Sequence, residues 1–143
     1  MVLPALSQVI QPRLTILSER KEETAFLELY RLVSQLVAII SASFGGILAI
    51  LAEPILLVWS GSEKLAAATA PILFWYSATN ATIAMLILPF MLQFARGKLR
   101  LHAIMTSISV TLLVPTIIIV ALWFGPIGTG KVHFIANLLF LVF

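Results

Sequence analysis

Few side chains in this chain are of types that do chemistry, and they are scattered. His102 and His133 are the two histidines and fall in different segments, and there is no cysteine. Two isolated imidazoles without thiols give neither a metal site nor a disulfide. No Ser/His/Asp grouping, paired carboxylate or phosphate-cradling glycine loop stands out. The Gly-x-x-Gly of Gly125 and Gly128 reads as a turn. The expectation is a protein without catalytic, cofactor-binding or metal residues, that is, no enzyme and no cofactor. Glu53 is the one acid in an apolar context. An ionisable group inside a membrane is a functional candidate, but Glu53 precedes Pro54 at the end of an apolar run and reads as an interfacial helix-end acid. Gln35, Asn80, Gln93 and Asn137 are uncharged polar residues in or near apolar runs. Such residues usually hydrogen-bond a neighbouring helix, and otherwise line a cavity that meets a polar solute. Asn80-Ala81-Thr82 matches a glycosylation sequon but lies inside an apolar run, out of reach of a transferase.

The elements that would carry these residues are long and apolar. Leu32–Ala52 runs 21 residues without a charge, Leu65–Ala95 runs 31 and Ala103–Gly130 runs 28. A bilayer core of about 30 Å needs about 20 apolar residues as a helix. Of the 143 residues, 61% are hydrophobic and 10% charged, too little polar surface for a soluble domain. The expected fold is all-α, a polytopic transmembrane helical bundle with three full spans, about 32–51, 72–94 and 103–123. Partial helices are expected at both ends, the last a truncated span over 132–143. Met1–Leu17, interrupted by Pro4 and Pro12, is too short to span alone.

Ser18 is an expected N-cap, followed by Glu19, Glu22 and Glu23 where the helix dipole favours acids. Phe26, Leu29, Tyr30 and Val33 then share one apolar face. The expectation is an amphipathic surface helix over about 18–31 that enters the membrane as the first span. Expected helix breaks are Gly45 and Gly46, where a neighbour can also approach closely, and Pro89 and Pro115 within later spans. Glu53-Pro54 should end the first span, Gly61–Lys64 form a tight loop, and Pro71 open the next helix. Basic turns and flanks should occupy 96–102, and a loop should cover 124–131.

Arg13, Arg20, Lys21, Arg31, Arg96, Lys98 and Arg100 flank one side of these spans; Lys64 and Lys131 flank the other. Seven against two places the first set in the cytoplasm, with the loops around 13–31 and 96–102 cytoplasmic, in a multi-pass plasma (inner) membrane protein. The net charge of +3 has the same origin, and no nucleic-acid partner is expected.

Several short pieces occur in a recognisable order. They are Leu3-Pro4-Ala5-Leu6-Ser7, Leu29-Tyr30, Leu51-Ala52-Glu53-Pro54-Ile55-Leu56, Trp59-Ser60-Gly61, the Ala67/Ala70/Pro71/Leu73 set, Ala95-Arg96-Gly97-Lys98 and Phe124-Gly125-Pro126-Ile127-Gly128. This series resembles the C-terminal lobe of the polysaccharide and O-antigen flippases of the multidrug/oligosaccharidyl-lipid/polysaccharide exporter superfamily. The resemblance implies two helix bundles around a central cavity and alternating access that moves a lipid-linked oligosaccharide between leaflets. It also implies that this chain holds the end of the eighth helix, helices nine to eleven and the start of the twelfth. The partners would be membrane lipids, a lipid-linked glycan as substrate and the missing helices of a full-length transporter. No Lys or Arg lies within the uncharged runs, so no substrate contact carries over, and the chain alone should not transport. The rival readings are a drug/cation antiporter fragment of the same superfamily and a small non-transporting membrane subunit.

Overall fold

The computed structural model describes residues Val2–Val142, and Met1 and Phe143, the last position of the expected truncated span, lie outside them. Among the described residues 93% are helical, in five helices and no strands. They are α1 Val2–Glu19, α2 Glu23–Ile50, α3 Ala52–Ser60, α4 Glu63–Ala95 and α5 Leu99–Val142. Three of these, α2, α4 and most of α5, are long and apolar enough to cross a membrane.

α4 is the axis of the bundle, and each of the other helices packs on it. On α2 the buried residues Val33, Val37, Ser41 and Gly45 recur every four positions, which forms one ridge along the helix. On α4, Ser77, Ala84, Leu88, Met91 and Ala95 are among the buried residues and recur at sums of three and four positions, the spacing of a helix–helix seam. The side chains shrink along this contact. Phe26, Leu14, Met91 and Ala95 form a cluster at one end, and Val33, Val37 and Leu88 follow. At Gly45 an added Cβ would stand 2.6 Å from the Ala81 Cβ and 3.3 Å from the Ser77 carbonyl oxygen. Ser41/Gly45 and Ser77/Ala81 thus form small-x-x-x-small pairs that let the two backbones close up.

Several boundaries differ from those expected. Ser18 lies inside α1 and caps nothing; the chain turns at Arg20–Glu22, with Lys21 at φ 57°, and α2 starts at Glu23 without a side-chain cap. The amphipathic stretch is therefore the first part of α2, with Phe26 and Val33 buried and Leu29 and Tyr30 packed beside them. α1 continues through Pro12. α2 ends at Ile50 and α3 follows after Leu51 alone. Pro54 explains the break, because it has no N–H for the Ile50 carbonyl and its ring collides with that oxygen. Only Gly61 and Ser62 connect α3 to α4; Gly61 is left-handed and the Ser62 hydroxyl accepts from the Leu65 N–H, so Glu63 and Lys64 are already helical. Pro71 lies two turns inside α4 and does not open it.

Gly46, Pro89 and Pro115 do not interrupt their helices: α2 is continuous through both glycines, α4 through Pro71 and Pro89, and α5 through Pro115. All three prolines are exposed on their helices, and helices of membrane-crossing length tolerate proline more readily than soluble ones. The basic turn is shorter than expected, Arg96–Lys98, closed by the Lys98 N–H donating to the Gln93 carbonyl. The expected loop over 124–131 is a single residue. Gly125 has φ 63° and ψ −161°, a region essentially confined to glycine. The helix restarts at Pro126, for which the first helical position is favourable. The chain reverses there, because an added Cβ at Gly128 would lie 2.9 Å from Val120 Cγ1, whereas residues eight apart in a straight helix are separated by about 12 Å. α5 is thus a hairpin with arms 99–124 and 126–142, and the last segment is longer than the expected 132–143.

Candidate functional site

Charged and aromatic side chains converge at two ends of the bundle. At the first end α1, α2 and α4 meet. Arg96 follows the last turn of α4, donates to the Glu23 carboxylate and lies over the Phe26 ring, 5.1 Å from its centroid. Phe26 is buried beneath it against Leu14, Met91 and Ala95. The guanidinium therefore covers the rim of an apolar cluster while its charge is matched on α2. Lys98 follows on the exposed turn and Arg100 in the exposed first turn of α5, and the His102 ring packs on Phe90 at 4.8 Å.

At the opposite end α3, α4 and the second arm of α5 meet around Trp75. Glu53, Pro71, Phe74 and Trp75 help to line an open cleft of about 380 Å³ between α3 and α4. Phe74 meets Trp75 edge-on at 5.2 Å, and Phe134 packs on it at 5.7 Å. The Lys131 ammonium stands 5.7 Å from the centre of the same indole. The Tyr76 and Thr129 hydroxyls share a hydrogen bond of 3.1 Å, and an added Cβ at Gly130 would lie 2.8 Å from the Trp75 Cβ. Gly130 therefore permits the contact that brings Lys131 to Trp75. On its outward face α3 forms an apolar groove of about 610 Å³ lined by Leu51, Pro54, Ile55, Val58 and Trp59.

The chain matches no family model, no curated protein and no solved structure.

The four amides singled out in the sequence do not assemble. Gln35 and Asn80 are exposed, and the Asn80 amide donates to the Tyr76 carbonyl of its own helix. Asn137 likewise donates to the His133 carbonyl. Gln93 keeps its side-chain oxygen buried without a partner. None of them makes a cross-helix hydrogen bond among the described residues. The polar links between helices are instead Tyr76–Thr129 and Arg96–Glu23. Nothing in the sequence joins Tyr76 or Arg96 to its partner, which lies 53 positions away for Tyr76 and 73 for Arg96. Gly125, Gly128 and Gly130 carried the available signal, since glycines clustered at an apolar boundary mark a reversal and close packing. Among the described residues no group of three or more His, Cys, Asp or Glu is placed to hold a metal.

Proposed function

We propose that this chain is part of a plasma-membrane flippase that moves lipid-linked oligosaccharide repeat units across the bilayer by alternating access, without catalysing a reaction. The reading rests on the ordered series of short pieces from Leu3 to Gly128. Three structural features support it. The bundle has three helices of membrane-crossing length. Helix dimensions agree with a common slab: α4 is 33 residues, about 50 Å at 1.5 Å per residue, which exceeds a hydrocarbon core of about 30 Å and lets both ends emerge. In the most apolar stretch of α5 no residue is buried within the chain, a surface left for lipid and for the helices of a further bundle. Both clefts described above are open, so an enclosed glycan path would need walls from elsewhere in the transporter.

In this reading α2, α4 and the first arm of α5 span the inner membrane, with α1 and the second arm of α5 contributing shorter pieces. Removing the gene should leave lipid-linked repeat units on the cytoplasmic leaflet. Extraction of glycolipids and mass spectrometry should show them accumulating several-fold, and an unchanged pool would refute the proposal. The isolated chain in liposomes should not flip such lipids. An accumulating intracellular organic cation in place of the glycolipid would favour the antiporter alternative.

A further inference from the structure

We infer that the cleft between α3 and α4 holds the zwitterionic headgroup of a membrane phospholipid, with its ammonium between Glu53 and the aromatic walls and its phosphate toward Lys131. Glu53 shares the lining of the cleft with Trp75, the Lys131 ammonium stands on the same indole, and neither charge has an ion-pair partner among the described residues. Opposite charges beside one indole suit a ligand that carries both charges within a few ångströms. A carboxylate beside aromatic faces is the chemistry that receives an ammonium group. A lysine with free donors takes a phosphate as a point charge. The cleft volume of about 380 Å³ falls within the range of about 300–1,000 Å³ typical of small-ligand sites.

The surroundings select a lipid over a free solute. α3 turns its other face outward as the groove of Leu51, Pro54, Ile55, Val58 and Trp59, apolar throughout and of about 610 Å³. One short helix therefore offers a surface for an acyl chain and, through Glu53, the charged edge of the cleft. The depth also fits. Counting about 20 residues of hydrocarbon core from Arg31 along α2 arrives at Leu51–Glu53, and from Phe94 along α4 at Phe74–Trp75. Both counts reach the residues that line the cleft, at the level where headgroups lie. The inference needs the chain to reside in a bilayer but does not depend on the flippase reading, which is tested by glycolipid accumulation.

The test uses the full chain in detergent with Trp59→Phe and Trp123→Phe, which leaves Trp75 as the single indole. Its fluorescence is followed while dihexanoylphosphatidylethanolamine, dihexanoylphosphatidylglycerol or phosphoethanolamine is added. The expected result is a saturable change with phosphatidylethanolamine, at least about ten-fold tighter than with phosphatidylglycerol. Glu53→Gln and Lys131→Gln should each weaken it about ten-fold, and Glu53→Asp should retain most of it, with helicity checked by circular dichroism. No saturation, equal affinity for phosphatidylglycerol, or indifference to both charge removals would overturn the site. Equal affinity for phosphoethanolamine alone would overturn the assignment to a lipid.

Discussion

Gly45 and Gly46 are adjacent and chemically identical, and the fold uses them differently. Gly45 closes the contact with Ala81, whereas an added Cβ at Gly46 meets nothing within 4 Å. Gly45→Ala should destabilise the bundle by about 1–3 kcal/mol through overpacking against α4. Gly46→Ala should be neutral or stabilising by up to about 1 kcal/mol, through helix propensity. Unfolding in mixed micelles followed by circular dichroism separates the two, and equal effects would mean that the α2–α4 seam is wrong. Arg96 belongs to the same scale. Its side chain and that of Glu23 are 38% and 61% exposed, so solvent screens the pair. Arg96→Ala should cost only about 1 kcal/mol, partly from the Phe26 contact. A double-mutant cycle with Glu23→Ala should give a coupling below about 1 kcal/mol, and a larger value would show a more enclosed pair. The sequence could narrow the glycine choice: the stripe of Phe26 and Val33, extended by fours through Val37 and Ser41, arrives at Gly45. The amides were less legible. A long amide can satisfy itself on the carbonyl one turn back, as Asn80 and Asn137 do, and nothing in residue type distinguishes that from a bond to a neighbour.

Helix lengths and helix ends follow different physics, and only the first is readable from apolar runs. A run without charges shows where a helix can be buried; a proline or glycine within it has two outcomes. Pro89 and Pro115 leave their helices continuous, whereas Pro54 coincides with a break after Ile50. Pro54→Ala should restore the missing donor and let α2 run into α3. Spin labels at Ile47→Cys and Val58→Cys would then report a longer separation, approaching the about 16 Å expected along a straight helix for eleven residues. An unchanged distance would mean that packing of α3 on α4 sets the bend. At Gly125 the opposite holds, because the backbone angle itself makes the hairpin. Gly125→Ala should cost about 1–3 kcal/mol and loosen the second arm of α5. Loss of the Trp75–Lys131 and Tyr76–Thr129 contacts should follow, visible as faster hydrogen exchange over 126–142. The glycine and proline content of 124–131 pointed to a loop because composition marks where chain direction changes, not how few residues the change needs.

The whole molecule is polarised. Residues far apart in sequence come together as a basic end: Leu14, next to Arg13, packs with Met91 and Ala95, while Arg96 bonds Glu23 across the same cluster. The opposite end carries Lys64 at the start of α4 and Lys131 on Trp75. The flank counts of seven and two Lys and Arg are therefore arranged as two ends in space, and the excess of cations should hold the first end in the cytoplasm. The absence of cysteine makes this directly measurable. Single replacements Lys98→Cys and Ser62→Cys place one thiol at each end, both outside the long helices' interiors. In intact cells a membrane-impermeant maleimide should label Ser62→Cys and spare Lys98→Cys until the membrane is permeabilised. Reversal of that pattern would invert the orientation. Labelling of both thiols in intact cells would mean that α4 does not cross the bilayer, which would remove the membrane geometry on which both the flippase reading and the headgroup site depend.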